Sequence, residues 1–190
     1  MALFEVTAND RRIYEEELKD FLPDKILDVH THVWLDEYLE KKPPQPGFVK
    51  RTVTWPSLVA LDNSIEDLQE TYRLMFPGKD VKALMFISGK TGVAKNNAYL
   101  SEKSREWGWP ALYYSHPSES ADELEAQIRA GGFLGVKCYL NRAPEYIPAK
   151  EIRIFDFFPK HQLQRLNDMG AICMCHIPRD GRLADPVNYQ

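Results

Sequence analysis

Two histidines separated by one residue are the most chemically informative feature of this chain. They stand in the run Asp28-Val-His30-Thr-His32, at the end of a short apolar stretch that begins at Lys25. Alternate side chains of an extended strand share a face, so His30 and His32 are expected to point the same way and to offer two imidazoles to one metal ion. The alternative is a pair of unrelated histidines on an edge strand.

A lysine and a third histidine stand in later apolar runs. Lys137 lies near the end of Gly132-Phe-Leu-Gly-Val-Lys-Cys-Tyr139, and His176 closes Ala171-Ile-Cys-Met-Cys-His. A lysine that points into a packed interior must be paired, neutralised or modified, because an isolated buried ammonium is costly. Three interpretations stay open: Lys137 is carboxylated and bridges two metals, it pairs with Asp28 or a substrate carboxylate, or its ammonium reaches solvent at the strand end.

The three cysteines, Cys138, Cys173 and Cys175, are an odd number in apolar, strand-like runs. This favours buried free thiols in a reducing compartment, the cytoplasm, over a disulfide framework. Alternation places Cys173 and Cys175 on the face opposite His176, toward a helical layer. We therefore interpret the Cys-x-Cys-His sequence as two core thiols beside one ligand.

An alternating order of helices and strands is predicted to position these residues. Each strand after the first follows a helix, which favours parallel βαβ units in one domain spanning 1–190. Residues 34–63 carry several prolines, and we predict a long loop or lid there. The predicted helices are 9–21 (within an N-terminal helical segment, 1–24), 64–76, 92–107, 120–132 and 156–169, and the predicted strands are 26–32, 81–88, 111–115, 134–139 and 171–176.

Charge and hydropathy narrow the class of partner. The net charge is −4 and the basic residues form no stripe, which weighs against nucleic acid. Apolar runs are far shorter than the roughly 20 residues of a membrane span. A small-molecule partner is therefore expected. The sequence ends one turn after Asp185-Pro186, a helix-start signal, so we expect the N-terminal part of a longer protein.

Three of these motifs together resemble a known family. Ile26-Leu-Asp-Val-His-Thr-His32 is similar to the first-strand signature of the amidohydrolase superfamily. Gly132-Phe-Leu-Gly-Val-Lys137 and Met174-Cys-His176 resemble its fourth and fifth strands, in the right order. The similarity is closest to the amidohydrolase-related branch of metal-dependent TIM-barrel hydrolases, which includes the aminocarboxymuconate semialdehyde decarboxylase type. It covers the chain from about residue 25 onward.

The resemblance implies an α/β fold, a (β/α)8 TIM barrel of which this chain holds about the first five β/α units. It implies one or two divalent metals, zinc foremost, with His30, His32 and His176 as ligands and Lys137 as a further candidate. The family's sixth-strand histidine and eighth-strand catalytic aspartate have no counterpart here. We expect that aspartate beyond residue 190, so the chain alone should be inactive, and its open strand edges favour homo-oligomers.

The activity implied is a metal-dependent hydrolase that attacks a small carboxylated or cyclic substrate through a metal-activated water. One alternative is a decarboxylase or lyase of the same superfamily, and another is a non-catalytic truncated barrel. In the decarboxylase, Arg142 and Arg179, just past the fourth and fifth strands, are expected to be placed to hold the departing carboxylate. The expected substrate contacts are Trp34, Tyr139, Arg142 and Arg179.

Overall fold

The computed structural model describes residues 4–38, 62–88 and 92–190. Most of the predicted lid lies outside the described residues, because the description stops at 38 and resumes at 62. At the base of that segment, Trp34 and Asn63 form an antiparallel bridge with two backbone hydrogen bonds. The two ends of the segment are thereby joined directly beyond the first strand.

Five parallel strands form the centre of the described fold. One sheet pairs β1 with β2, a second has the order β3-β4-β5, and a parallel bridge between Met85 and Ala111 joins them. Within the described residues this is an open sheet with β1 and β5 at its edges, and the eight-stranded barrel stays a prediction. The strands are β1 Lys25–Val33, β2 Asp80–Ile87, β3 Tyr113–Tyr114, β4 Gly135–Lys137 and β5 Ile172–Met174.

Helices precede each strand, and their capping residues explain where several begin. Thr7, Ser64 and Ser120 each accept a hydrogen bond from the third helical amide, in a capping box. The single helix predicted over 156–169 is wrong, because Pro159 has no amide hydrogen to continue it and two helices form instead. The helices are α1 Ala8–Ile13 (continued by a π-helical turn, Tyr14–Leu18), α2 Ile65–Met75, α3 Val93–Trp107, α4 Ala121–Gly131, α5 Ile154–Phe157 and α6 Lys160–Met169.

The two faces of the sheet have different surroundings. The outer face packs against the helices and forms the main core. The inner face carries a smaller apolar cluster of Leu84, Phe86 and Leu112, with Met174 against it. Toward the start of β1, the inner face exposes Leu27 and Val29. The inner face is therefore the less covered side of the sheet.

A glycine sets the spacing between β4 and β5. A Cβ atom at Gly135 would overlap the carbonyl oxygen of its register partner, Ile172. Only glycine allows the two strands to approach this closely, so that Lys137 pairs in register with Met174 two residues later. The position of the lysine thus depends on this close contact.

The cysteines differ in exposure from the prediction. Cys138 is buried and Cys175 is half-buried, but Cys173 is exposed. The predicted burial of all three thiols is wrong for Cys173 because its strand, β5, lies at the edge of the described sheet. Val136, the register partner of Cys173, belongs to the outer-face core. Cys173 therefore lies on the helical side of the sheet, as alternation predicts.

Candidate metal centre

A β-bulge in β1 determines which side chains accompany the two histidines. Between Asp28 and Thr31 the strand holds one residue more than β2 opposite it, so these two residues share the outer face. Asp28 accepts hydrogen bonds from the His30 amide (3.0 Å) and the Tyr72 hydroxyl (2.8 Å). The Thr31 hydroxyl lies 3.1 Å from the same Tyr72 oxygen. The inner face is left to His30 and His32.

The two imidazoles lie close enough to share one ion. Their ring centroids are 5.5 Å apart, and both rings meet the ring of Phe86 edge-on, at 5.1 Å for His30 and 4.7 Å for His32. Two imidazoles bound to one tetrahedral zinc at ordinary Zn–N distances have centroids about 5 Å apart. The described geometry of the pair therefore fits a shared metal ion.

Tyr139 orients the ring of His32. Its hydroxyl donates a 2.7 Å hydrogen bond to the carbonyl oxygen of Ile87 and lies 3.3 Å from Nδ1 of His32. Because the hydroxyl hydrogen is committed to Ile87, Nδ1 of His32 must be the donor in the second contact. This tautomer leaves the Nε2 lone pair available to a metal, the arrangement usual for metal-binding histidines.

Lys137 is buried on the same inner face, with 3% of its surface exposed. Its ammonium nitrogen lies 5.2 Å from the ring centroid of Phe86 and 5.0 Å from that of Tyr139. The interpretation in which Lys137 reaches solvent is wrong, since the side chain is enclosed. Pairing with Asp28 is also wrong, because the bulge turns Asp28 to the other face. Carboxylation and pairing with a substrate carboxylate stay predictions.

The third histidine lies near Tyr139. His176 lies two residues past the end of β5, and the Tyr139 ring is 6.2 Å from the rings of both His32 and His176. In the described ranges, no three His, Cys, Asp or Glu side chains lie close enough to enclose one metal ion. The structure thus brings together an imidazole pair and Lys137 and places His176 near Tyr139, without a three-ligand group in the described ranges.

Burial and one positive charge keep the histidines neutral. Burial lowers the pKa of His30, His32 and His176, and the ammonium of Lys137 lowers each of them further. For His32, the most buried of the three, the pKa falls to about 4. Metal binding needs neutral imidazole, so these shifts favour ligation near neutral pH.

The pKa of His32 predicts a pH-dependent loss of stability in the metal-free chain. Above pH 6.5, its ordinary pKa, the ring is neutral in both the folded and unfolded states. Between about pH 6.5 and 4 the unfolded chain binds a proton that the folded chain resists, so the free energy of unfolding should fall by up to about 3 kcal/mol. Urea unfolding in EDTA across this range measures it. An equally steep loss in His32→Gln would contradict the assignment.

Arg142 is connected to the site through two tyrosines whose rings pack edge to face. Its Nε donates a 2.9 Å hydrogen bond to the Tyr114 hydroxyl, and its guanidinium lies 5.0 Å from the Tyr114 ring centroid. The Tyr114 ring in turn packs on Tyr139 at 4.9 Å. A cation at this position suits a substrate carboxylate. Tyr139 itself is 4% exposed and contacts His32, so its described contacts are with the site's own groups.

Arg179 has other partners. Its Nε forms a 2.6 Å ion pair with Asp185, and Nη1 donates to the carbonyl oxygen of Lys150. The arginine whose charge lowers the pKa of His176, after burial and Lys137, is Arg182. Trp34, the remaining predicted substrate contact, is buried beside the His32 end of β1.

Several residues of the site were not anticipated from the sequence. Phe86 could have been found, because alternation within the apolar run of β2 places it on the inner face with Leu84. Asn63, whose side chain donates to the His32 carbonyl oxygen at 2.5 Å, and Tyr72 on α2 give no local signal. Their roles depend on contacts between distant parts of the chain.

Comparison with protein-family models, curated proteins and solved structures finds no match to this chain. The resemblance to the amidohydrolase superfamily thus rests on the three motifs alone. Within the described ranges, no helix combines the length and apolar character needed to cross a bilayer.

Proposed function

We propose that this chain carries the metal-binding half of a zinc-dependent hydrolase that acts on a small carboxylated or cyclic substrate. One observation carries the proposal: two neutral imidazoles, 5.5 Å apart, share the inner face of a parallel sheet with a buried lysine and a third imidazole. We further propose the cytoplasm as its compartment, since the cysteines are free, and association through the edges of β1 and β5.

The roles follow from the described contacts. His30 and His32 would hold the zinc, and Tyr139 keeps His32 in the tautomer that presents Nε2. A bound zinc polarises a substrate carbonyl and lowers the pKa of water toward neutrality. Arg142, stacked on Tyr114, would bind a carboxylate at the rim. Lys137 would face either a substrate carboxylate or, once carboxylated, a second metal.

Zinc titration tests the proposal. The purified chain is stripped with EDTA and titrated with zinc by calorimetry, and His30→Ala and His32→Ala are compared with His161→Ala. His161 is a matched control because it lies on α6 and its Nε2 contacts the carbonyl oxygen of Glu119. We expect one tight site that each β1 substitution weakens at least 10-fold and His161→Ala leaves unchanged. Uptake below about 0.2 equivalents by the unmodified chain would overturn the proposal.

A second candidate is a decarboxylase or lyase built on the same site. The position of Arg142 favours it, because its guanidinium is connected to His32 through Tyr114 and Tyr139 and can hold a departing carboxylate. Product analysis with the protein that carries the expected aspartate distinguishes the two activities. Carbon dioxide release without incorporation of oxygen from labelled water indicates decarboxylation, and incorporation indicates hydrolysis. Bound zinc with neither product would favour the non-catalytic barrel.

A further inference from the structure

All three cysteines of the chain gather at one place, on the outer face beside β4 and β5. Val136 pairs with Cys173 and Lys137 with Met174, and Cys138 and Cys175 directly follow this last registered pair. The side chain of Cys175 interacts with the sulfur atoms of both Cys138 and Cys173. None of the three takes part in the proposed metal site, since they lie on the opposite face of the strands.

The three cysteines of this cluster differ in their exposure to solvent. Cys173 is exposed at the edge strand, Cys175 is half-buried, and Cys138 is 1% exposed. The Cys138 thiol points toward the carbonyl oxygen of Met174 at 3.9 Å, and the Cys175 thiol toward that of His176 at 3.4 Å. An oxidant from solvent therefore meets Cys173 first, with Cys175 next to it and Cys138 behind.

We propose that this cluster is a site of reversible oxidation by hydroperoxides, and that its stable product is a disulfide between Cys138 and Cys175. The hydroperoxide oxidises one cysteine of the Cys173/Cys175 pair to a sulfenic acid and is reduced to the alcohol, or to water if it is hydrogen peroxide. The other thiol of the pair attacks that sulfur, releases water and forms a Cys173–Cys175 disulfide. The Cys138 thiol then attacks the Cys175 sulfur and expels Cys173 as a thiol. In total, two thiols lose two protons and two electrons to one peroxide.

Strand geometry permits the final exchange, and burial favours it. Residues two apart on one strand have Cα atoms about 6.6 Å apart, near the upper limit for a disulfide, and residues opposite each other on neighbouring strands lie about 4.8 Å apart, near the lower limit. The bond between Cys138 and Cys175 is more enclosed than the one between Cys173 and Cys175, because Cys138 is 1% exposed and Cys173 is exposed, so reductants reach it less easily. It also joins the two strand ends that carry Lys137 and His176.

Thiol counting and peptide mapping test the proposal. The reduced chain is treated with hydrogen peroxide, alkylated and digested with trypsin, which yields peptide 138–142 and peptide 166–179 with both other cysteines. We expect free thiols to fall from three to one, an intact mass about 2 Da lower, and the two peptides linked, with the alkyl group on Cys173. Dithiothreitol should restore all thiols.

Variants separate the steps. Cys173→Ser should keep the crosslink but form it at least about 10-fold more slowly, and Cys175→Ser should abolish it. A bond confined to peptide 166–179, dimers linked between chains, or oxygen addition without a crosslink would each overturn the proposal. If Cys175→Ser does not fold, the peptide map of the unmodified chain decides. Zinc titration of the oxidised chain then measures whether the disulfide changes the zinc affinity. This titration is the only measurement here that rests on the proposed function.

Discussion

Replacing Asp28 with alanine is expected to lower the free energy of unfolding by about 3 kcal/mol near neutral pH. The Asp28 carboxylate accepts hydrogen bonds from the His30 amide and the Tyr72 hydroxyl, and these bonds hold the bulge of β1. Burial alone would raise the pKa of Asp28. The hydrogen bonds from His30, Thr31 and Tyr72 outweigh burial and hold that pKa below its ordinary value.

The sign of this pKa shift gives the prediction its pH dependence. A carboxylate whose folded pKa is depressed stabilises the fold above its unfolded pKa, near 3.8, and loses that contribution as the pH falls below it. The difference in stability between Asp28→Ala and the unmodified chain should therefore be constant from pH 7 to 5 and shrink only at lower pH. The pH range in which Asp28 loses its contribution therefore lies below the range, about pH 6.5 to 4, in which protonation of His32 lowers stability.

Urea unfolding of three variants separates the contributions. Asp28→Asn keeps an acceptor oxygen and should lose less stability than Asp28→Ala, while Tyr72→Phe removes only the hydroxyl. Because the bulge also orients His30, Asp28→Ala should weaken zinc binding about 10-fold, as loss of a residue that supports a ligand usually does. A loss of less than about 0.5 kcal/mol in Asp28→Ala would show that the bulge is held by other contacts.

Local signals in the sequence predicted most helices and strands. Thr7, Ser64 and Ser120 start helices through side-chain bonds to amides three residues away, so their effect is visible in a short window. Pro159 gave an equally local signal, and the single helix predicted across it ignored that signal. The face on which Cys173 lies followed from alternation, whereas its exposure depends on β5 having no neighbour on one side in the described sheet.

The site shows where alternation fails. Counted from Ile26, a regular strand would put Asp28 on the same face as His30 and His32, where it could pair with Lys137. The bulge adds one residue after Asp28, so Asp28 keeps the outer face of Ile26 while both histidines lie inward. The bulge is stabilised by Tyr72, 44 residues away from Asp28. A contact of that range cannot be inferred from the spacing of residues 25–33.

Replacing Lys137 with methionine is expected to raise the free energy of unfolding by about 2 kcal/mol in the metal-free chain. The ammonium is enclosed and lies against the rings of Phe86 and Tyr139, and the groups that favour its charge are the three cysteines, with no carboxylate among them. Burial accordingly lowers the pKa of Lys137. Methionine fills a similar volume without a charge. The pKa of His32 should rise in this variant, because the Lys137 charge is its second largest depressing influence after burial.

Lys82 provides the matched control and bicarbonate separates the remaining interpretations of Lys137. Like Lys137, Lys82 lies on the inner face of the sheet, but it belongs to β2 and is exposed. Lys82→Met should therefore change the free energy of unfolding by less than about 0.5 kcal/mol. If Lys137→Met destabilises the chain while Lys82→Met does not, the ammonium has an anionic partner and the prediction is wrong.

If Lys137 is carboxylated when metal binds, bicarbonate should strengthen zinc binding by the unmodified chain and have no effect on Lys137→Met. If Lys137 instead pairs with a substrate carboxylate, bicarbonate should affect neither protein, because the ammonium is then kept free for the substrate.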